Sequence, residues 1–347
     1  MKIDAFNHLL PPAYAKRFFA IDDAPELRNL QTRTRAIPAL TDMDVRFRQM
    51  DEFGDYRQII NVAAPPLEDF GPVERCSEMA RIGNEGLAEL VRDHPDRFAG
   101  FCAAVALNDV DRAIEEIDYA FGELDAVGVQ IYCQVNGLPL DDPRFDPFFE
   151  RMAASGKVIQ VHPGRSSAWP DYPSEKRSRF EIWWALGWEY ELSVFMSRMV
   201  FSGVLERWPG LKFLMHHAGG MIPHFAGRIG PGWDQLGART PEDQKEDVTP
   251  PHALTKRPVD YFKMFYADTA CFGAEDPLRT SIRFFGADRV LFASDSPYDP
   301  EKGPGYIRAT IKNLHDLDLT DGERSAIFSG NVTRLLGLDS EVIKTGR

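Results

Sequence analysis

Leu211-Lys212-Phe213-Leu214-Met215-His216-His217-Ala218-Gly219-Gly220 joins a short apolar run to two histidines and two glycines. A run of five is too short for an ordinary helix and suits a strand buried on both faces, as in a parallel sheet. The same pattern recurs along the chain. Residues 2–6 lead into Asn7-His8, 157–161 into His162-Pro163-Gly164, 262–267 into Asp268, and 289–293 into Ser294-Asp295-Ser296-Pro297. Runs at 58–62, 98–107 and 126–132 complete a set of eight. The segments between them read as helices: 109–119 opens on Asp109, and 143–154 places Phe145, Phe148, Phe149 and Met152 at helical spacing. Eight strands alternating with helices fit a closed (β/α)8 TIM barrel better than a doubly wound sheet of five or six strands.

A barrel takes about 250 residues, so roughly 100 remain for insertions. Two stand out. Residues 163–205 exceed a normal connection and hold Trp169, Trp183, Trp184 and Trp188, while 230–258 is rich in Pro, Gly and charge. The chain reads as one α/β domain over 1–347, with cap or interface segments built on it. The tryptophans read as packing of an inserted helix, at a pocket entrance or against another subunit.

Forty Lys and Arg against 53 Asp and Glu give a net charge of −13, which argues against a nucleic-acid partner. No apolar run reaches the 18 or so residues that a membrane span needs, and Asp4 with no long apolar stretch argues against a signal peptide. Hydrophobic content of 44% excludes disorder. Cys76, Cys102, Cys133 and Cys271 lack CxxC spacing and read as reduced thiols of a cytoplasmic protein.

Parallel barrels carry their active sites at the C-terminal ends of the strands. Of eight histidines in the chain, His8, His162, His216 and His217 stand at such ends. His8, His162 and Asp295 would converge from the first, fifth and eighth runs as two nitrogens and one oxygen. That set suits catalytic zinc with an open position, and equally the facial triad of non-heme iron. Asp4 reads as a structural support of the first strand end, and Cys133 as a small buried residue. His94, His224, His252 and His315 read as surface or packing residues.

These segments resemble the amidohydrolase superfamily, in particular its amidohydrolase-2 branch, which includes aminocarboxymuconate-semialdehyde decarboxylase and the hydroxybenzoate decarboxylases. The resemblance spans nearly the whole chain. It rests on Ile3-Asp4-Ala5-Phe6-Asn7-His8-Leu9-Leu10-Pro11, Val161-His162-Pro163, His217-Ala218-Gly219-Gly220-Met221-Ile222-Pro223 with Gly227-Arg228, Phe292-Ala293-Ser294-Asp295-Ser296-Pro297 and Asn331-Val332-Thr333-Arg334-Leu335-Leu336. It implies a distorted barrel with a divalent metal, zinc first and manganese or iron as alternatives, held by His8, His162 and Asp295. It gives His217 an acid/base or substrate-orienting role and leaves His216 beside the pocket. One position departs from the family pattern: Phe6 stands where the first member of the strand-one ligand pair is expected.

Two function classes follow. The first is a metal-dependent carboxy-lyase or hydrolase of a small carboxylated, aromatic or unsaturated acid. In it the metal polarises the carboxylate, and His217 moves a proton with a pKa near neutrality. The second is a subunit of an amidohydrolase-fold oxygenase, including a partner chain without its own chemistry, for which Phe6 is the supporting feature. The expected assembly is a homo-oligomer, or a hetero-oligomer with a second amidohydrolase-like chain.

Overall fold

The strands of the computed structural model, which describes residues 1–24 and 27–338, are β1 (Lys2–Leu9), β2 (Tyr56–Val62), β3 (Phe98–Ala104), β4 (Gly128–Tyr132), β5 (Gln134–Val135), β6 (Leu138–Pro139), β7 (Val158–His162), β8 (Lys212–Met215), β9 (Tyr266–Asp268) and β10 (Val290–Leu291). β5 and β6 form a separate antiparallel hairpin. The other eight make one parallel sheet in the order β1-β2-β3-β4-β7-β8-β9-β10. Backbone bonds close it: Ala5 N–H donates to Phe292 O (2.8 Å), His8 N–H to Ser296 O (2.8 Å) and Asp295 N–H to Phe6 O (3.2 Å). Asp4 reinforces that seam, because its carboxylate accepts from the Ser294 hydroxyl (2.5 Å) and amide (3.1 Å) and from the Tyr56 hydroxyl (2.6 Å). This is the (β/α)8 barrel the strand pattern implies.

The axis is packed with Ile3, Ala5, Phe6, Ile59, Cys102, Val158, Leu214, Leu291 and Ala293, and the helix Asn331–Leu336 covers this cluster with Val332, Leu335 and Leu336. Side chains along a strand alternate between faces. From Val158 the inward series runs through Gln160 to His162, from Leu214 to His216, and from Leu291 through Ala293 to Asp295. The core thus changes from hydrocarbon to imidazole and carboxylate at the end where the strands finish.

Several boundaries differ from those the sequence suggests. β1 continues to Leu9, β3 stops at Ala104, and β9 begins only at Tyr266. Pro258 opens a short helix, Pro258–Phe262, where its fixed φ suits the first turn, so Phe262 ends a helix instead of starting a strand. A third long insertion lies between β1 and β2, with helices Pro12–Phe19, Arg28–Arg35 and Met43–Met50. Between β7 and β8 lie the helices Ile182–Ala185, Gly187–Phe201 and Val204–Arg207, and residues 230–258 consist of short turns. Among the described residues, no helix is long and apolar enough to cross a membrane.

Candidate active site

Three imidazoles meet at the mouth of the barrel. Ring centroids are 5.1 Å apart for His8 and His162, 5.5 Å for His162 and His216, and 6.0 Å for His8 and His216. Each offers a ring nitrogen within 4.8 Å of the others. Donors around one ion at about 2.0–2.2 Å stand at most roughly 4.4 Å apart, so a small inward movement would bring all three onto one ion. The Oδ1 atom of Asp295 lies 3.1 Å from His8 Nε2 and 3.2 Å from His216 Nε2. His8 is completely buried; its Nδ1 makes no hydrogen bond, and its Nε2 faces the Asp295 carboxylate. Buried polar atoms are rarely left so. This imidazole beside a carboxylate and two further imidazoles is a donor set that fits a divalent cation.

The surrounding groups aim these donors. His162 Nδ1 lies 2.7 Å from Pro163 O; a carbonyl only accepts, so Nδ1 carries the hydrogen and Nε2 keeps its lone pair. His216 Nδ1 is bonded to Asp268 Oδ2. Asp268 Oδ1 accepts from the amides of Ala218 (3.2 Å) and Ala270 (3.0 Å). A carboxylate or carbonyl behind an imidazole is the usual way in which a metal-binding histidine is oriented. Behind β1, the fully buried guanidinium of Arg46 donates to His8 O (2.8 Å), Ala39 O (3.2 Å), Asn7 Oδ1 (2.6 Å) and Gln58 Oε1 (2.8 Å), which fixes the backbone that carries His8.

Charge follows the same geometry. Burial would lower His216, but the Asp268 and Asp295 carboxylates outweigh it and push it up to about 10. Asp295 is held well below the usual carboxylate range: bonds to His216 and His8 overcome its burial. Burial and neighbouring imidazoles lower His8 and His162. His217 is lowered to about 4 by burial and then by His216. The expectation that His217 titrates near neutrality therefore needs correction, since it is a neutral imidazole at pH 7. Its Nδ1 donates to Ala270 O (3.1 Å), leaving Nε2 as an acceptor.

Of the residues singled out from sequence, His8, His162, Asp295 and His217 all stand in this cluster. His216, expected beside the pocket, belongs to both close groups of donors, with His8 and His162 and with His217 and Asp295. The alternation that carries Leu214 inward was the available signal. The turn after it is tight: His217, Ala218, Gly219 and Gly220 have φ of 49°, 57°, 80° and 62°, and this region favours glycine. A side chain at Gly220 would meet Glu189 O at 2.8 Å. Phe6 stacks on His216, with centroids 4.0 Å apart and planes 13° from parallel.

Above the cluster lies a cavity of about 420 Å³ that reaches His162 and Asp295. Trp183, Trp184, Trp188, Phe272, Tyr298 and Tyr306 line it. The tryptophan-rich insertion thus forms a wall of the cavity in addition to packing. The insertion between β1 and β2 contributes Leu30, Ile37 and Arg33. Arg33, paired with Glu181, stands at the cavity, whereas Arg165 is paired with Glu191 at 2.8 Å beside a smaller recess.

A parallel barrel with imidazoles and a carboxylate at its C-terminal mouth defines a class of barrel enzymes with a histidine–carboxylate centre. The chain belongs to the amidohydrolase family, whose model matches residues 3–338. It is 30% identical to a gamma-resorcylate decarboxylase of Polaromonas sp. (strain JS666), over 91% of each chain. It is 26% identical to 2-amino-3-carboxymuconate-6-semialdehyde decarboxylase of Dictyostelium discoideum, over 86% of this chain and 77% of that one. Among solved structures it resembles dihydroxybenzoic acid decarboxylase from Polaromonas sp. JS666 with bound manganese and the inhibitor 2-nitroresorcinol. There the TM-score is 0.76, the identity 26% and the coverage 98% of both chains. These relatives are decarboxylases, and the oxygenase reading finds no support in them. Manganese, not zinc, is the ion in that neighbour, so the preference for zinc is unsupported too.

Proposed function

We propose that this protein is a metal-dependent decarboxylase of a small hydroxylated or otherwise oxygen-substituted aromatic acid. The observation that carries the reading is the buried donor set of His8, His162, His216 and Asp295 at the floor of an aromatic-walled cavity. A divalent ion bound there would supply Lewis acidity to the substrate carboxylate and an adjacent oxygen. The chain's own groups do the rest. Trp183, Trp184, Trp188 and Phe272 enclose a planar ring and exclude water. The Trp188 indole N–H and the Tyr298 hydroxyl are buried without a hydrogen-bond partner, which leaves them free to donate to substrate oxygens. Neutral His217 accepts the substrate's acidic proton at Nε2 and returns it to the ring carbon as carbon dioxide leaves with the C–C bond broken.

Tyr172, Phe180, Leu186 and Tyr190 are exposed on the same insertion, which supports association of subunits through it. Homo-oligomers are the expected form, with the hetero-oligomeric pairing as the alternative. The test of activity is a panel of hydroxybenzoic and related aromatic acids, incubated anaerobically with manganese-loaded protein while carbon dioxide is measured. Release without dioxygen from at least one acid is the expected result. Turnover that requires dioxygen would overturn the reading.

A further inference from the structure

Resting on that metal-dependent reading, we propose that His216 is itself a metal ligand, supplied from the end of β8 beside the donorless ring of Phe6, with Asp268 as its positioning carboxylate. Three observations carry this. His216 offers a nitrogen within 4.8 Å of those of His8 and His162, so the site has a third imidazole that the first strand does not provide. Its far nitrogen is engaged by Asp268, which is fixed in turn by the amides of Ala218 and Ala270; Nε2 is thereby the atom directed at Asp295 and the mouth. Phe6 lies flat against the ring and holds its plane, so the in-plane lone pair of Nε2 cannot swing out of the site. The competing account makes His216 a structural cation between two carboxylates, with no part in holding an ion.

Manganese(II) alone, titrated into metal-stripped full-length protein and followed by the electron paramagnetic resonance signal of the free ion, separates the two. The parent protein binds one ion per chain. His216→Asn weakens binding by at least the ~10–100-fold typical of lost supporting groups, and Asp268→Asn falls within that range. His217→Asn changes affinity less than about threefold, or ~0.7 kcal/mol, if His217 is no ligand of the ion. Phe6→His restores more affinity in the His216→Asn background than it adds to the parent, because the parent already holds a third imidazole; a purely structural His216 would give equal gains in both. Circular dichroism reports folding. If His216→Asn fails to fold, Asp268→Asn decides. A parent that binds one ion and a His216→Asn protein that binds it equally well overturn the inference and leave the metal reading intact. A parent that binds no manganese, zinc or iron(II) overturns that reading, and the inference with it.

Discussion

Replacing Arg46 with Met keeps most of the side-chain volume but removes every donor from a completely buried site. Four acceptors then lose a charged partner: His8 O, Ala39 O, Asn7 Oδ1 and Gln58 Oε1. An unsatisfied buried group costs about 1–3 kcal/mol, so four cost on the order of 8 kcal/mol. The substitution also removes a charge that burial disfavours. Arg46 is pushed down to about 10 by desolvation, only partly offset by Tyr56 and Asp4, and relieving that strain returns roughly 3 kcal/mol. The expected net loss is about 5 kcal/mol, against a total stability of about 5–15 kcal/mol for most folded proteins. Urea unfolding followed by tryptophan fluorescence and by circular dichroism measures it. Arg46→Lys should fall between parent and Met, since an ammonium has three donors and no planar fork. Because His8 O is one of the acceptors, manganese affinity should fall in both variants. A loss below about 1 kcal/mol for Arg46→Met would refute the view that this guanidinium organises the first strand end, since four orphaned groups at the lowest cost of about 1 kcal/mol each, less the roughly 3 kcal/mol returned, still leave about 1.

Burial pushes Glu68 up to about 7, with the nearby Asp69 adding to it against the Leu107 amide that lowers it. Between about pH 4.5 and 7 the folded state keeps a proton that the unfolded chain has lost, so stability falls as pH rises through that window. Glu68→Gln should remove this slope and, by pH 8, exceed the parent by roughly 1–3 kcal/mol in urea titrations, while matching it below pH 4.5. Tyr298→Phe should lower kcat/KM about tenfold on any aromatic acid that is turned over, the worth of one buried hydrogen bond of about 1.5 kcal/mol, with the fold unchanged by circular dichroism. Chelation followed by a manganese chase should abolish and then restore carbon dioxide release.

The eight strands were legible because each is short and apolar and five of them end in polar groups of distinct chemistry, and a barrel is the natural closure of such a series. The phase of those ends was harder to see. His216 and His217 are sequence neighbours, and only the two-residue alternation from Leu214 tells which imidazole faces the axis; the left-handed turn at His217–Gly220 then brings the second back to the same mouth. Asp268 was visible as a strand end, but its bond to His216 depends on β9 lying next to β8. Arg46 and Arg33 escaped notice because they come from the insertion between β1 and β2, whose helices carry no motif. The cavity walls depend on tertiary contacts within the insertion between β7 and β8: Trp183 and Trp188 pack edge to face at 5.6 Å, which composition cannot specify.

An anomalous difference map from a crystal of the manganese-loaded protein locates the ion and its ligands. One peak per chain is expected in the barrel mouth, roughly 2.0–2.2 Å from a nitrogen of His8, His162 and His216 and an oxygen of Asp295, by analogy with metal–imidazole and metal–carboxylate bonds. A well-ordered structure with no peak among those four side chains, or with the ion held elsewhere on the chain, would contradict it.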